Sequence, residues 1–120
     1  MNKSLRLDIF KKASLCRNFE EEVITNINNK NIKIPAYVSA GQEFISSSLA
    51  TICNKKKIKP MLFGQHRCHS IYLSFGGNIK GLVDELLGKK TGCTGGKGGS
   101  ASINSKEIKM YGHDGLMGSN

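Results

Sequence analysis

Apolar residues recur at Ile9, Ala13, Cys16, Phe19, Val23 and Ile27, in steps of three and four, with charged Arg17, Glu20 and Glu21 set between them. This spacing predicts an amphipathic helix of about five turns. Residues 28–33 form a mostly polar connection, and Pro35 pushes Ile34 toward an extended or turn backbone because its ring clashes with a helical predecessor. Ile45, Leu49 and Ile52 predict a second, shorter helix behind the turn Gly41-Gln42-Glu43. Residues 55–60, lysine-rich and closed by Pro60, break it. Met61-Leu62-Phe63 then has room only for a short buried strand, ending at Gly64. Ile79, Leu82, Val83, Leu86 and Leu87 predict a third helix, with Asn78 as its N-cap and Gly88 as its C-cap. No segment repeats.

A glycine-rich run follows that helix, from Gly88 to Ser100. It cannot be a helix or strand interior, since each glycine gives up the most backbone entropy and offers no side chain to bury. It can bring backbone N–H groups, with lysines between them, up to an anion. The Walker pattern fails, because Lys97 is followed by Gly98 and Thr91 stands where the first glycine is required. The dinucleotide fingerprint fails because the run follows a helix and not a strand. A surface loop that orders against a partner fits the same pattern.

His66-Arg67-Cys68-His69 concentrates chemistry just after the expected strand, where α/β folds tend to place it. Imidazole and thiolate are zinc ligands, yet adjacent residues on extended backbone point apart and no second ligand pair stands at finger-like spacing. Arg67 is better suited to a diphosphate, through its planar fork of donors. Hydrogen-bonded structural roles remain open for His66 and His69. The single carboxylate of Gly112-His113-Asp114-Gly115 reads as a solvated turn and not a metal site.

The chain has 120 residues and a net charge of +9, from 18 Lys plus Arg against 9 Asp plus Glu. That balance suits nucleic acid, an acidic membrane surface or phosphorylated small molecules. Most of the lysine runs fall in connecting stretches beside asparagines, as solvated loops do. Without Trp, and with three Tyr and five Phe, the chain has few stacking platforms for single strands. Cys16, Cys53, Cys68 and Cys93 are widely spaced with no C-x-x-C pair and no secretory pattern before them, which predicts a reduced, cytoplasmic protein. No stretch approaches the length of a membrane span.

Taken in order, the segments resemble the alpha subunit of the thiamine-diphosphate-dependent dehydrogenase component of 2-oxo-acid dehydrogenase complexes, the pyruvate and acetoin dehydrogenase group. The resemblance runs through nearly the whole chain. Arg17-Asn18-Phe19-Glu20-Glu21 resembles that family's first-helix signature, Ser39-Ala40-Gly41-Gln42-Glu43 its Gly-Gln-Glu turn, and Gln65-His66-Arg67-Cys68-His69 its Tyr-Arg-x-His segment. The most specific match runs from Glu85 through Cys93 and on through Lys97-Gly98-Gly99-Ser100. Gly112 through Asn120 resembles a further glycine-rich turn.

The resemblance implies an α/β fold in which residues 1–120 form the N-terminal portion of a thiamine-diphosphate-binding domain, a parallel sheet flanked by helices that is incomplete in this chain. It implies that Arg67 and His66 contact the cofactor diphosphate, that Gly115 and Met117 contact its aminopyrimidine through the backbone, and that Tyr37 meets the substrate. His69 matches the motif's own histidine and is the catalytic candidate. Three departures stand out: His66 where many members have Tyr, Tyr37 where several have His, and Ser102 where the loop usually continues into Met-His.

The implied reaction is oxidoreductive: decarboxylation of a 2-oxo acid and transfer of the acyl group to a lipoyl disulfide. The implied partners are a beta subunit and a lipoyl-bearing acyltransferase, with no nucleic acid and no membrane. Thiamine diphosphate would need Mg2+, whose ligands are expected outside this chain; Asp114 belongs to the preceding turn and is not one of them. Alone, the chain is expected to be inactive and to expose apolar helix faces. The competing readings are a small basic module for RNA or another polyanion, and a non-catalytic remnant that occupies an interface.

Overall fold

A computed structural model of the chain describes residues 2–112. Among them are four helices, α1 (Lys3–Asn28), α2 (Glu43–Lys55), α3 (His69–Ser74) and α4 (Ile79–Leu86), and a hairpin of β1 (Asn104–Ser105) with β2 (Met110–Tyr111). The α/β expectation is met only in outline. The hairpin is antiparallel, and the parallel pairing among the described residues is a bridge from Leu62 to Met110. Leu62 N–H donates to the Lys109 carbonyl at 2.8 Å, and Tyr111 N–H returns to the Leu62 carbonyl at 3.1 Å.

The three predicted helices form, each for a local reason. Asn2 caps α1 by accepting from Leu5 N–H, and Asn78 caps α4 by accepting from Gly81 N–H, satisfying donors the first turn leaves free. All four helices close with the same paired bonds, a 6→1 and a 5→2 contact around a residue at positive φ. Gly88 fills that position after α4, as expected, and Gly76 fills it after α3. After α1 and α2 the position is held by Lys30 (φ 60°) and Lys57 (φ 54°), whose Cβ is crowded in this region. Lys57→Gly is therefore expected to stabilise the chain by about 0.5–1 kcal/mol, read as a higher urea midpoint with an unchanged slope.

Helix α3 was not expected, because six residues carry too little periodicity to announce a helix. The strand at residues 61–63 is also a correction. Leu62 is buried, but Met61 and Phe63 are exposed, so one bridge replaces the buried strand.

Helix α2 shows how packing departs from the apolar pattern. Its inward face is Glu43, Ser46, Ser47, Ala50 and Thr51, while Ile45 and Leu49 are 67% and 55% exposed. The small polar side chains satisfy one another across the seam with α1 and α3. Ser74 Oγ lies 3.2 Å from Ser46 Oγ, 3.3 Å from Ser47 Oγ and 3.4 Å from Cys16 Sγ, and Thr51 Oγ1 donates to the Ser47 carbonyl at 2.7 Å. A seam of small groups lets the helices approach closely without stranding a polar atom. The apolar side of α2 then lines an open groove of about 350 Å3 with Pro60, Met61 and Phe63.

The main core gathers Cys16, Leu62, Cys68, Tyr72, Leu73, Leu82, Ile103 and Met110, and a second cluster joins Val23, Ile32 and Leu86. Ile9, Ala13, Cys16 and Val23 point inward as the period predicts. Glu20 joins them: it lies on the buried stripe, not on the solvated face where the charge pattern placed it. No described helix is long and apolar enough to cross a membrane.

Candidate functional site

Three buried glutamates, each on a helix, hold the loops that shape the site. Glu20 of α1 accepts from Ser39 N–H at 2.7 Å and from Ser39 Oγ–H at 2.6 Å through one oxygen, and its other oxygen lies 2.9 Å from His69 Nδ1. His69 Nε2 is 2.7 Å from Ser100 Oγ, the hydroxyl that ends the glycine-rich run. Glu20 and His69 are both 0% exposed. Phe19 closes one side, with its ring edge-on to the His69 imidazole at 6.0 Å.

Glu43, at the start of α2, accepts from Arg17 Nε at 2.7 Å and from Gly41 N–H at 2.9 Å. The Arg-x-Phe-Glu signature thus has a physical content. Arg17 anchors the Gly-Gln-Glu turn, Phe19 lines the histidine, and Glu20 pins Ser39.

Glu85 of α4 sits inside the glycine-rich run. One carboxylate oxygen accepts from Thr94 N–H at 2.7 Å and Gly96 N–H at 2.9 Å, the other from Gly98 N–H at 2.8 Å and Gly99 N–H at 2.9 Å. The backbone amides do converge on an anion, as the composition suggested, and the anion is the chain's own side chain. Glycine is needed where the loop crosses the end of α4: a Cβ at Gly96 would meet the Lys89 carbonyl oxygen at 2.6 Å. The flanking Asp84 holds Lys80 and Thr91, fixing the start of the run to the helix.

The three glutamates share an electrostatic signature. Burial alone would raise each carboxyl, but hydrogen bonds and charge outweigh it and leave all three below the ordinary carboxylate range. For Glu20 the opposing groups are His69 and Ser39, for Glu43 chiefly the Gly41 amide and Arg17, and for Glu85 the four loop amides. A lowered folded pKa stabilises the fold above the unfolded value, about 4.3, and that contribution is lost as pH falls through the lowered values. Urea unfolding at pH 7, 5, 4 and 3 is thus expected to show stability nearly level down to pH 5 and falling steeply below about 4.3.

Above the Glu20–His69 pair lies an exposed ledge. Arg67 is exposed and donates from Nη1 to the Val38 carbonyl at 3.1 Å. The Tyr37 and His66 rings meet edge to face, with centroids 5.2 Å apart. Of the expected site residues, the structure therefore brings Tyr37 and His66 into contact, and ties Arg67 to the backbone of the Tyr37 segment, beside the groove along α2. His69 lies beneath them with both ring nitrogens engaged. Gly115 and Met117 lie outside the described residues. Cys68, between Arg67 and His69, is buried in the core, and burial pushes its thiol up to about 12, so it stays a protonated packing group. Among the described residues no group of three or more His, Cys, Asp and Glu side chains is arranged to hold a metal ion.

The buried roles of Glu20, Glu43 and Glu85 were the part that sequence reasoning missed. A signal existed for Glu20: its position continues the steps Cys16, Glu20, Val23, Ile27 of the apolar stripe. For Glu85 the signal was its place between Leu82 and Leu86, directly before a glycine run with amides to spare.

These observations define a class first: a helical scaffold that uses internal carboxylates to fix two loops beside an exposed arginine. Comparison with known proteins adds the lineage. The family described as "Dehydrogenase E1 component" matches residues 11–120. The chain is 31% identical over 112 residues to the Arabidopsis thaliana "Pyruvate dehydrogenase E1 component subunit alpha-1, mitochondrial", covering 93% of this chain and 28% of that protein. It is 33% identical over 109 residues to the "Pyruvate dehydrogenase E1 component subunit alpha" of Rickettsia prowazekii (strain Madrid E), covering 91% and 32%. With the mitochondrial alpha subunit of Saccharomyces cerevisiae (strain ATCC 204508 / S288c) the identity is 26% over 117 residues, covering 98% and 27%. The chain belongs to the dehydrogenase E1 component family, and the alpha-subunit resemblance is borne out. It spans less than a third of the length of these relatives.

Proposed function

We propose that this chain contributes part of a thiamine-diphosphate site to a pyruvate-type 2-oxo-acid dehydrogenase. The observation that carries this reading is the joining of two segments far apart in the sequence, where the Tyr37 ring meets His66 and the neighbouring Arg67 grips the Val38 carbonyl with its guanidinium exposed. The ledge fits a diphosphate end. A guanidinium has five N–H donors, and the bond to Val38 uses one of them while orienting the group. His66, half-buried against Tyr37, lends a second polar edge.

When bound, thiamine diphosphate supplies the electron sink for decarboxylation. Arg67 binds and orients its diphosphate, His66 flanks it, and Tyr37 presents a hydroxyl and an aromatic face toward the 2-oxo acid. Gly115 and Met117 would serve the aminopyrimidine through their backbone. His69 takes no direct part in this reading; it supports the ledge from below. The Mg2+ ligands, the parallel sheet of the complete domain, the beta subunit and the lipoyl-bearing acyltransferase whose disulfide accepts the acyl group all belong to the assembly outside this chain. A cytoplasmic setting with reduced cysteines fits the same reading.

The reading is tested by reconstitution. The chain alone is expected to bind no thiamine diphosphate measurably. Joined to the rest of an alpha subunit and supplied with a beta subunit, it is expected to bind the cofactor in a Mg2+-dependent manner and to release carbon dioxide from pyruvate. An assembled complex that binds no cofactor with Mg2+ present would sink the proposal.

A further inference from the structure

We infer that Glu20, His69, Ser39 and Ser100 form a closed, buried hydrogen-bonded ring that positions the ledge, with His69 as its positioning residue. What the ledge holds rests on the function proposed above; the ring itself does not. Three consecutive residues are pinned, each from a different direction. Tyr37 N–H donates to Ser100 Oγ at 2.8 Å, the Val38 carbonyl accepts from Arg67, and Ser39 donates twice to Glu20. His69 joins the two outer anchors, with Glu20 on Nδ1 and Ser100 on Nε2. The circuit closes through the backbone from Tyr37 to Ser39.

The hydrogens can be assigned by what each group is able to do. An ionised Glu20 only accepts, so the proton between it and His69 sits on Nδ1. Ser100 already accepts from Tyr37 N–H and gives its own hydrogen to Nε2. Ser39 Oγ donates to Glu20 and accepts from Ser70 N–H at 3.1 Å, which ties the ring to α3. Ser39 and Ser100 are each 1% exposed, so a ligand on the ledge touches neither them nor the glutamate and histidine behind them. They act through what they hold. With residues 37 and 39 fixed, the Val38 carbonyl cannot turn away from Arg67, and the Tyr37 ring stays against His66. Ser100 ends the run gripped by Glu85, so the glycine-rich loop reaches the ledge through one hydroxyl.

Ser100→Ala removes that hydroxyl and little volume. Amide exchange and ring–ring nuclear Overhauser contacts in the ligand-free chain are the readout. The Tyr37 amide is expected to lose protection by about tenfold relative to α1 amides, the size of one hydrogen bond, and the Tyr37–His66 contacts to weaken. Ser47→Ala, which deletes another buried hydroxyl outside the ring, is expected to leave both signals unchanged. Equal signals in wild type and Ser100→Ala, or the same loss in Ser47→Ala, would overturn the ring. If Ser100→Ala does not fold, the wild-type imidazole spectrum decides. A slowly exchanging proton on Nδ1 with a bare, hydrogen-bonded Nε2 supports the ring, and a proton on Nε2 overturns it. Because no cofactor is present, a failure here is distinct from a failure of cofactor binding in the assembly.

Discussion

Replacing Glu85 with alanine is expected to cost about 3 kcal/mol, the upper end for hydrogen bonds to a charged group and a large share of the stability of a domain this size. The carboxylate organises the amides of Thr94, Gly96, Gly98 and Gly99, and among the described residues no other side chain holds them. Without it, those donors must find water, and residues 94–99 lose the carboxylate that offsets their backbone entropy, while Asp84 and His69 still hold the two ends of the run at Thr91 and Ser100. Glu85→Gln is expected to do nearly as much damage despite its equal shape. Each carboxylate oxygen serves two N–H donors, so the glutamine NH2 would face donors in place of an acceptor. Urea unfolding measures the loss, and amide exchange locates it: residues 94–99 should open first. A loss below about 1 kcal/mol for either variant would show that the loop holds itself.

The second large effect falls on binding. In the reconstituted assembly, Arg67→Ala is expected to weaken thiamine diphosphate by about 10–100-fold, the worth of charged hydrogen bonds at about 1.5–3 kcal/mol. Its guanidinium is exposed, so the fold itself should lose little. Arg67→Lys is expected to recover only part of the affinity, because an ammonium is a point charge without the planar fork that grips two oxygens together.

The sequence and the structure agree where a single physical rule operates. The apolar steps of α1, the Asn78 cap and the Gly88 stop each depend on a few neighbouring residues, and each is found as expected. Agreement ends where distant residues decide. Ile45 and Leu49 set the period of α2 but not its orientation, which follows the polar seam made with Cys16 and Ser74. Glu20 reads as one of the charges between the apolar steps because its partners, Ser39 and His69, are supplied only by folding, and the loop amides that Glu85 holds likewise reach it only in the fold. His66 and Arg67 stand out by their own chemistry and Tyr37 by resemblance alone, and the fold joins the two segments through the Tyr37–His66 contact and the Arg67 bond to Val38. The sheet expected around them is represented in residues 2–112 by the hairpin and the bridge at Leu62.

The central claim is that Arg67 stands at a diphosphate, and calorimetry on the assembly tests it most directly. Thiamine diphosphate and thiamine would each be titrated, with Mg2+, into complexes carrying wild-type chain or Arg67→Ala. The account predicts saturable thiamine diphosphate binding that falls by about 10–100-fold in the variant, with thiamine unaffected by the substitution. Equal affinity of wild type and variant for thiamine diphosphate would contradict it.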